Sequence, residues 1–406
     1  MPNPPAAAPR HVLPLIVAAQ FAGTSLWFAV NAVMPDLQRE LGYAPAAVGT
    51  LSTAVQLGFI LGTLVFALLA VADRHSPRAV FLLCALAGAG FNATGALWPG
   101  GPALETMWAL RFATGFCLAG IYPVGMKIAA AWYPQGLGRA LGWLVGALVL
   151  GTAMPHALRA LGAGWPWAQV MLAVSALAAA GGLAVWWGLP ESPHLPRATT
   201  LQWRALGAIG RDARLRASVL GYFGHMWELY TLWVLLPVIL ATRLQGTAVS
   251  LGAFAAIGAG ALGCVLGGQL AARYGSARVA GTQLAVSGLC CLAAPLALGA
   301  GDGWFLLWLL VWGISVAGDS PQFSALSATN APREAVGSVL TLVNCVGFAI
   351  SIASIELFVR LAQQQALATL LPWLALGPAL GLWALRPLWR EALPAQRPTP
   401  SASSRR

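Results

Sequence analysis

Residues 217–241 read ASVLGYFGHMWELYTLWVLLPVILA, an apolar run that carries two ionisable side chains, His225 and Glu228. A helix needs about 20 apolar residues to cross the ~30 Å hydrocarbon core of a bilayer, so this run predicts a transmembrane helix. An ionisable group at that depth costs several kcal/mol unless it meets a partner or a cavity. The run is therefore also a candidate functional segment.

Runs of the same kind recur along the chain between charged or turn-rich breaks. Hydrophobic residues make up 58% of the chain, charged residues only 9%, and mean hydropathy is +0.73, values outside the range of soluble domains. We predict an all-α membrane protein with twelve transmembrane helices and, because the first run is too long for a signal peptide, no cleaved leader. The runs cover residues 12–34, 47–71, 78–99, 104–131, 140–161, 165–189, 217–241, 248–271, 279–300, 304–329, 335–359 and 366–386.

The basic residues predict an orientation. A formal net charge of +11 could indicate a nucleic-acid partner, but these residues are unevenly placed. If both termini are cytoplasmic, four arginines face the other side, two basic residues lie within the fourth run, and 17 of the 23 are cytoplasmic. This asymmetry follows the positive-inside rule. We predict a multi-pass protein of the cytoplasmic (inner) membrane, with the lipid bilayer rather than nucleic acid as its partner.

The longest polar stretch, residues 190–216, divides six runs from six. Shifting the second half by about 200 positions aligns Gly23 with Gly224 and Arg74 with Arg273, which indicates an internal duplication. The predicted units are a cytoplasmic tail, a six-helix bundle, a cytoplasmic linker, a second six-helix bundle and a second cytoplasmic tail, at residues 1–11, 12–189, 190–216, 217–386 and 387–406.

A motif repeats in the loops after the second and eighth runs, as LAVADRHSPR (residues 69–78) and GQLAARYGSAR (residues 268–278). Both resemble the G-x-L-A-D-R-x-G-R-R loop of the major facilitator superfamily (MFS), and the resemblance in length, spans and duplication covers the whole chain. It implies the MFS fold of two six-helix bundles and a gating role for this loop. The alternative to the gating role is a solvated turn that only follows the positive-inside rule. The first copy lacks both glycines and the second lacks the aspartate. The residues implied in gating are Asp73, Arg74, Arg273 and Gly275.

The fourth and tenth runs carry matching Gly/Pro breaks, GIYP at Gly120–Pro123 and GDSP at Gly318–Pro321. Paired breaks in corresponding segments point to a transporter binding site, because freed backbone groups at mid-depth need a polar cavity. A kink used only for packing is the alternative.

Glu228 lies about 18 Å along its helix from Arg216, near the bilayer midplane, with His225 one turn away. Three hypotheses compete: a proton-coupling site on Glu228 and His225, a polar pair that ties this helix to a neighbour, and a transition-metal site that lacks a visible third ligand. Asp319, beside the second break, is a further proton-coupling candidate, with capping of the broken helix as its alternative.

Two cations lie in the fourth run. Arg111 is followed by Gly115, and this R-x-x-x-G resembles the buried arginine of many proton-linked facilitators; it either holds an anion, pairs with a carboxylate or snorkels to the interface. Lys127 is the only lysine of the chain and lies one turn beyond Pro123, close enough to the cytoplasmic edge to snorkel as well. We expect both to bind substrate.

Other polar and aromatic residues in the runs are predicted to line the pathway. His156 is a weaker candidate for the same role. The predicted substrate-binding residues besides Arg111 and Lys127 are Tyr122, Trp27, Asn31, Tyr230, Gln322 and Asn344.

The sequence thus predicts a secondary transporter that works by alternating access, opening one binding site to each side of the membrane in turn. Cations in the first half and carboxylates in the second favour proton-coupled transport of a small organic anion. A proton/drug antiporter is the alternative, although the G-x-x-x-G-P-x-x-G-G pattern of that group is absent from the fifth run; a non-transporting receptor or scaffold is a third. No nucleotide-hydrolysis, metallopeptidase or esterase motif occurs, and no C-x-x-C pair. We expect a monomer, no enzyme activity, no metal and no cofactor, with the proton gradient as energy source.

Overall fold

The computed structural model describes residues 9–133, 137–191 and 201–389, and the side chains of 137–139, 205 and 206 are outside this description. Most of both predicted tails and residues 192–200 of the predicted linker therefore lie outside it. Within the described residues twelve helices are long and apolar enough to cross a membrane, as predicted. They are α1 Val12–Leu41, α2 Ala47–Leu68, α3 Pro77–Leu97, α4 Leu104–Trp132, α5 Leu137–Leu161, α6 Trp167–Gly188, α7 Ala213–Ala241, α8 Thr247–Tyr274, α9 Ser276–Gly299, α10 Asp302–Asn330, α11 Val336–Leu361 and α12 Leu367–Trp389.

We call the side at which α1 begins and α12 ends the terminal side, and the opposite side the far side. On the terminal side the short helix Ala205–Arg211 precedes α7 and contacts α11, and the backbone N–H of Gln202 donates to Ser338 Oγ over 2.9 Å. This part of the linker is therefore held against the second half.

Three of the helices are interrupted at mid-depth. The breaks in α4 and α10 fall at the predicted Gly/Pro sites, and each proline occupies the first turn of the second piece, where its missing N–H is not needed. The break in α1 was not predicted, since no proline marks it. The pieces are Val12–Thr24 and Ala29–Leu41 in α1, Leu104–Leu118 and Tyr122–Trp132 in α4, and Asp302–Gly318 and Ser320–Asn330 in α10.

The two halves meet along two helix pairs, α2 with α11 and α5 with α8. Small residues allow the second pair to approach closely: a Cβ added at Gly146 of α5 would lie 3.4 Å from the carbonyl oxygen of Ala261 in α8. The first pair is also joined by hydrogen bonds.

In the first pair, Thr53 Oγ1 donates to Glu356 Oε1 over 3.1 Å and Ser351 Oγ donates to Gln56 Oε1 over 2.8 Å. Thr53 and Gln56 lie in the far-side half of α2, because α2 begins on that side. The halves are thus fastened together on the far side.

Candidate functional site

A small cavity of about 30 Å³ lies between the two halves at mid-depth. That volume is enough for about one water molecule. Helices from both halves form its wall, through Tyr122 of α4, Tyr222, Tyr230 and Trp233 of α7, and Phe348 of α11, among others. The cavity therefore lies where a solute crossing between the halves would pass.

An aromatic cluster adjoins the cavity. Trp27 of α1 stacks on Phe348 and Tyr230, with ring centroids 5.4 and 5.9 Å apart, and Phe28 meets Trp233 edge to face at 6.1 Å. Trp27 and Phe28 lie at the break in α1, whereas the other three rings belong to the cavity wall. Rings from the two halves are therefore packed against one another beside the cavity.

His225 and Asp319 form a fully buried pair beside the cavity. Nδ1 of His225 lies 2.8 Å from Oδ1 of Asp319, which is ion-pair distance, although the ring N–H is not aligned for a hydrogen bond. Asp319 connects the two pieces of α10, and its side chain makes no capping hydrogen bond to the second piece. The geometry thus brings Asp319 of α10 against His225 of α7.

Glu228 makes a separate set of contacts within the second half. Its Oε1 accepts from Trp312 Nε1 over 2.5 Å and from Cys291 Sγ over 3.2 Å, while its Oε2 accepts from Ser287 Oγ over 2.9 Å. These donors belong to α9 and the first piece of α10. His225 and Glu228 thus both connect α7 to α10, His225 at the break and Glu228 in the first piece, and the described chain shows no ion pair between them.

Arg111 is 1% exposed and is bonded within the first half. Its Nη2 donates to the carbonyl oxygens of Leu26 and Trp27, over 2.5 and 3.0 Å, and its Nη1 donates to Asn92 Oδ1 over 2.9 Å. The two carbonyls belong to the break in α1, where the helix no longer supplies N–H partners. The guanidinium thus stabilises the break and holds Trp27 in the aromatic cluster.

Lys127 lies on the terminal side, away from the cavity wall. Its Nζ forms an ion pair with the carboxylate of Asp73 and donates to the carbonyl oxygen of Ala72 over 2.7 Å. The side chain of Lys127 is 19% exposed and that of Asp73 is 25% exposed. The predicted gating aspartate is therefore bound to the predicted substrate lysine, and the pair joins the loop after α2 to α4.

A family model described as Major Facilitator Superfamily matches residues 16–355. The chain belongs to the major facilitator superfamily. Solved MFS structures share its fold at low identity. A point mutant of the nucleoside transporter NupG has a TM-score of 0.71 and 14% identity, covering 93% of this chain and 100% of that one.

Two further solved structures are similar to this facilitator. A bacterial homologue of the human lysosomal transporter Spinster, inward-facing and unoccupied, has a TM-score of 0.71 and 14% identity, covering 95% of this chain and 98% of that one. The proton:xylose symporter XylE, bound to 6-bromo-6-deoxy-D-glucose, has a TM-score of 0.73 and 12% identity, covering 93% and 94%. No curated protein gives a significant sequence match.

Among the residues predicted to bind substrate in this facilitator, three line the cavity: Tyr122, Tyr230 and Asn344. Trp27 is in the adjoining cluster. Arg111 and Lys127 are engaged elsewhere, as described above, and their role in substrate binding stays a prediction.

Asn31 and Gln322, which were also predicted to bind substrate, are not among the described residues of the cavity wall. Asn31 donates to Ser52 Oγ over 2.8 Å, which joins α1 to α2. Gln322 is 4% exposed in the second piece of α10, one turn after the break. His156 is buried in α5, and its Nε2 has no hydrogen-bond partner among the described residues.

The remaining gating candidates are separate from the Asp73 pair. Arg273 lies over the ring of its neighbour Tyr274, 5.2 Å from the centroid, and Gly275 separates α8 from α9 with φ of +86°, a conformation that favours glycine. No ion pair is found for Arg74 in the described part of the chain.

Sequence inspection missed three aromatic wall residues of the facilitator, Tyr222, Trp233 and Phe348. Tyr222 donates its hydroxyl hydrogen to Asn344 Oδ1 over 2.9 Å, connecting α7 to α11 across the wall. Tyr222 lies three residues before His225, and this helical spacing was the only feature of the sequence that could have placed it near the predicted site. Within the described residues, no group of three or more His, Cys, Asp or Glu could hold a metal ion, so the metal hypothesis for His225 and Glu228 gains no third ligand.

Proposed function

We propose that this facilitator uses the proton gradient to move a small organic solute by alternating access across the cytoplasmic membrane, as a monomer with both termini cytoplasmic. The observation that carries the proposal is the fully buried pair of His225 and Asp319, next to the cavity wall and in the break of α10. Ionisable residues at this depth characteristically mark ion and proton pathways. The likeness to a proton:xylose symporter supports proton coupling. We propose transport alone, without an enzymatic step.

The coupling proton is assigned to the His225 and Asp319 pair. With one proton between them the two side chains are net neutral, either as imidazolium and carboxylate or as two uncharged groups. When the proton leaves, an unpaired carboxylate remains in a site of low dielectric, which costs several kcal/mol. That state is stabilised by a conformation that admits water to the pair. Proton loss thus favours opening, and proton binding favours the closed arrangement.

The break in α10 links this pair to the cavity. Asp319 connects the two pieces of the helix, and the residues on both sides of it, Ala317 and Ser320, belong to the cavity wall. Tyr222 and Met226, which flank His225, are in the wall as well. A change in the pair's separation therefore moves wall residues directly.

Glu228, the first proton candidate from sequence, is given a different role in this proposal. Three donors from α9 and α10 point at its two oxygens and hold the side chain in place within the second half. We assign Glu228 to anchoring α7 within the second half.

The charge of the solute depends on which charged side chains of the protein could contact it. An organic anion, the substrate predicted from sequence, would require Arg111 to leave the break in α1 or Lys127 to leave Asp73. A lipophilic cation expelled by antiport would instead need the carboxylate of Asp319, which already faces His225 beside the cavity. None of these three charged side chains is among the described residues of the cavity wall.

Reconstitution into liposomes with an imposed inward proton gradient tests the proposal. The vesicles are exposed to a defined mixture of organic acids, amides and amines, and the lumen is analysed by mass spectrometry. We expect protein-dependent accumulation of at least one solute that collapses when a protonophore is added. Protein-dependent equilibration that ignores the protonophore would refute proton coupling, and no protein-dependent entry of any solute would refute the transport assignment for these classes.

A further inference from the structure

We infer that the solute is an uncharged, planar aromatic compound that carries hydrogen-bond acceptors, such as a heteroaromatic amide. The inference rests on the proposed transport function and names the substrate class of its central cavity. It departs from the organic anion predicted by the sequence.

The first observation is the charge of the cavity wall. The described wall residues are aromatic, aliphatic, hydroxyl-bearing or amide side chains, and none of them is a Lys, Arg, Asp or Glu. The buried cation nearest in sequence to a wall residue, Lys127, already neutralises Asp73. An anion placed here would leave water without gaining a counter-charge, which is costly in a low-dielectric site. The wall thus favours an uncharged solute.

The second observation is the shape of the wall. Tyr122, Tyr222, Tyr230, Trp233 and Phe348 present five rings from three helices around one small space. Aromatic rings bind other rings by offset stacking or edge-to-face contact, which adds to the effect of buried area. The wall therefore favours a flat ring over a branched aliphatic solute.

The third observation is a pair of unused hydrogen-bond donors. The indole N–H groups of Trp233, in the wall, and of Trp27, which stacks on the wall residue Tyr230, are buried and have no hydrogen-bond partner in the described chain. Trp233 is 1% exposed and Trp27 is 2% exposed. An indole N–H can only donate, and a buried donor without a partner destabilises the structure because it has lost its hydrogen bond to water. A solute with acceptor atoms at its edge would relieve that cost.

The cavity must widen before such a solute can enter, because about 30 Å³ holds no aromatic ring. The stacked contacts of Trp27 with Tyr230 and Phe348 join the halves across the cavity. A planar solute that replaces these ring contacts as the halves separate would compensate for their loss. This is the exchange that alternating access requires of a substrate.

Three compounds that share one indole ring test the assigned class. Indole-3-acetamide is neutral, indole-3-acetate is an anion, and tryptamine is a cation at neutral pH. Equilibrium binding of each labelled compound is measured on the full-length wild-type protein in nanodiscs. We expect the acetamide to bind at least about tenfold more tightly than the other two. Cyclohexylacetamide, which keeps the amide and loses the aromatic ring, should compete more weakly than the acetamide.

The role of the free donor is tested with Trp233→Phe, which keeps an aromatic ring but removes the N–H together with part of the ring surface. Its affinity for 3-methylindole, which has the same ring as indole-3-acetamide and no acceptor in its side chain, measures the loss of ring surface alone. The affinity for indole-3-acetamide should fall roughly fivefold more than the affinity for 3-methylindole, which corresponds to one neutral hydrogen bond. An equal fall for both compounds would overturn the role of the donor. Trp187→Phe is the matched control, because Trp187 is 76% exposed and far from the wall in sequence and fold.

Each outcome decides the inference. Tightest binding of indole-3-acetate would overturn it in favour of the anion, and tightest binding of tryptamine would overturn it in favour of the cation antiporter. Absence of binding by all three compounds would overturn it too. None of these results removes the proposed function, which fails only if gradient-driven accumulation is absent from the mixed-solute assay.

Discussion

Replacing Glu228 by glutamine separates an anchoring carboxylate from a proton carrier. The amide oxygen can take the place of Oε1 and keep the hydrogen bonds from Trp312 and Cys291. The amide NH₂ then donates to Ser287 Oγ, whose own hydrogen can go to the carbonyl oxygen of Leu284, 3.1 Å away. The substitution therefore preserves all three contacts and removes only the charge.

The expected change in stability follows from those contacts and from the lost charge. A hydrogen bond to a charged group contributes about 1.5–3 kcal/mol and a neutral one about 0.5–1.5 kcal/mol, so three bonds lose about 2–3 kcal/mol in total. This loss is offset because the variant no longer buries a carboxylate without a counter-charge, which costs several kcal/mol. The free energy of unfolding should therefore change by no more than about 1 kcal/mol. Glu356→Gln is the matched control, because the Glu356 side chain is 31% exposed and less of its charge is buried.

Both properties are measured on the same preparation. Denaturant unfolding in detergent micelles gives the stability, and uptake into liposomes under a proton gradient gives the coupling. We expect Glu228→Gln to keep its stability to within about 1 kcal/mol and to keep gradient-driven accumulation. Unchanged stability together with abolished accumulation would refute the anchoring role and restore Glu228 as the proton carrier.

Three further predictions concern the first half. Asp73→Asn should remove the ion pair with Lys127 and increase hydrogen exchange in Val71–Arg74. The loss of stability should be below about 1 kcal/mol because both side chains are partly exposed. Unchanged hydrogen exchange would show that the ion pair does not hold this loop against α4. Arg111→Lys should lower the free energy of unfolding in denaturant by at least about 1.5 kcal/mol, because one ammonium group cannot reach Asn92 and both α1 carbonyl oxygens. An unfolding curve identical to that of the wild type would contradict the role of Arg111 in stabilising the break in α1. Outside the membrane, hydrogen bonds from Arg78 hold the pKa of Glu191 below its ordinary value. The small contribution of this pair to stability is therefore present above about pH 4.3 and disappears as the pH falls through the folded-state pKa. Glu191→Gln should abolish this part of the decrease of the unfolding midpoint in acid, and an unchanged decrease in the variant would refute the prediction.

The sequence predicted the helices and two of the three breaks because these features are local. Apolar length defines a membrane helix, and Gly and Pro mark the interruptions of α4 and α10. The break in α1 has no such mark. It is stabilised by Arg111, which lies far away along the chain and donates to backbone carbonyls that every residue type possesses. A contact of that kind leaves no pattern in the sequence.

The candidate site was predicted in part for the same reason. Spacing placed His225 and Glu228 at the right depth on α7, and rarity identified Asp319, but which neighbour each would meet depends on how the helices pack. Residues three apart share one helix face, and both side chains meet α10, but at different residues: His225 meets Asp319, and Glu228 meets Trp312. Trp233 and Phe348 were missed because an aromatic residue in an apolar run looks the same whether it faces lipid or a cavity.

The central claim, that the His225 and Asp319 pair carries the coupling proton, is tested most directly by Asp319→Asn. The asparagine keeps the size of the side chain and cannot release a proton from a carboxylate. Gradient-driven accumulation and counterflow exchange are measured in parallel in liposomes, with the solute identified in the mixed-solute assay. We predict that accumulation falls to the level of protein-free vesicles while counterflow persists. Accumulation at the wild-type level by Asp319→Asn would contradict the account.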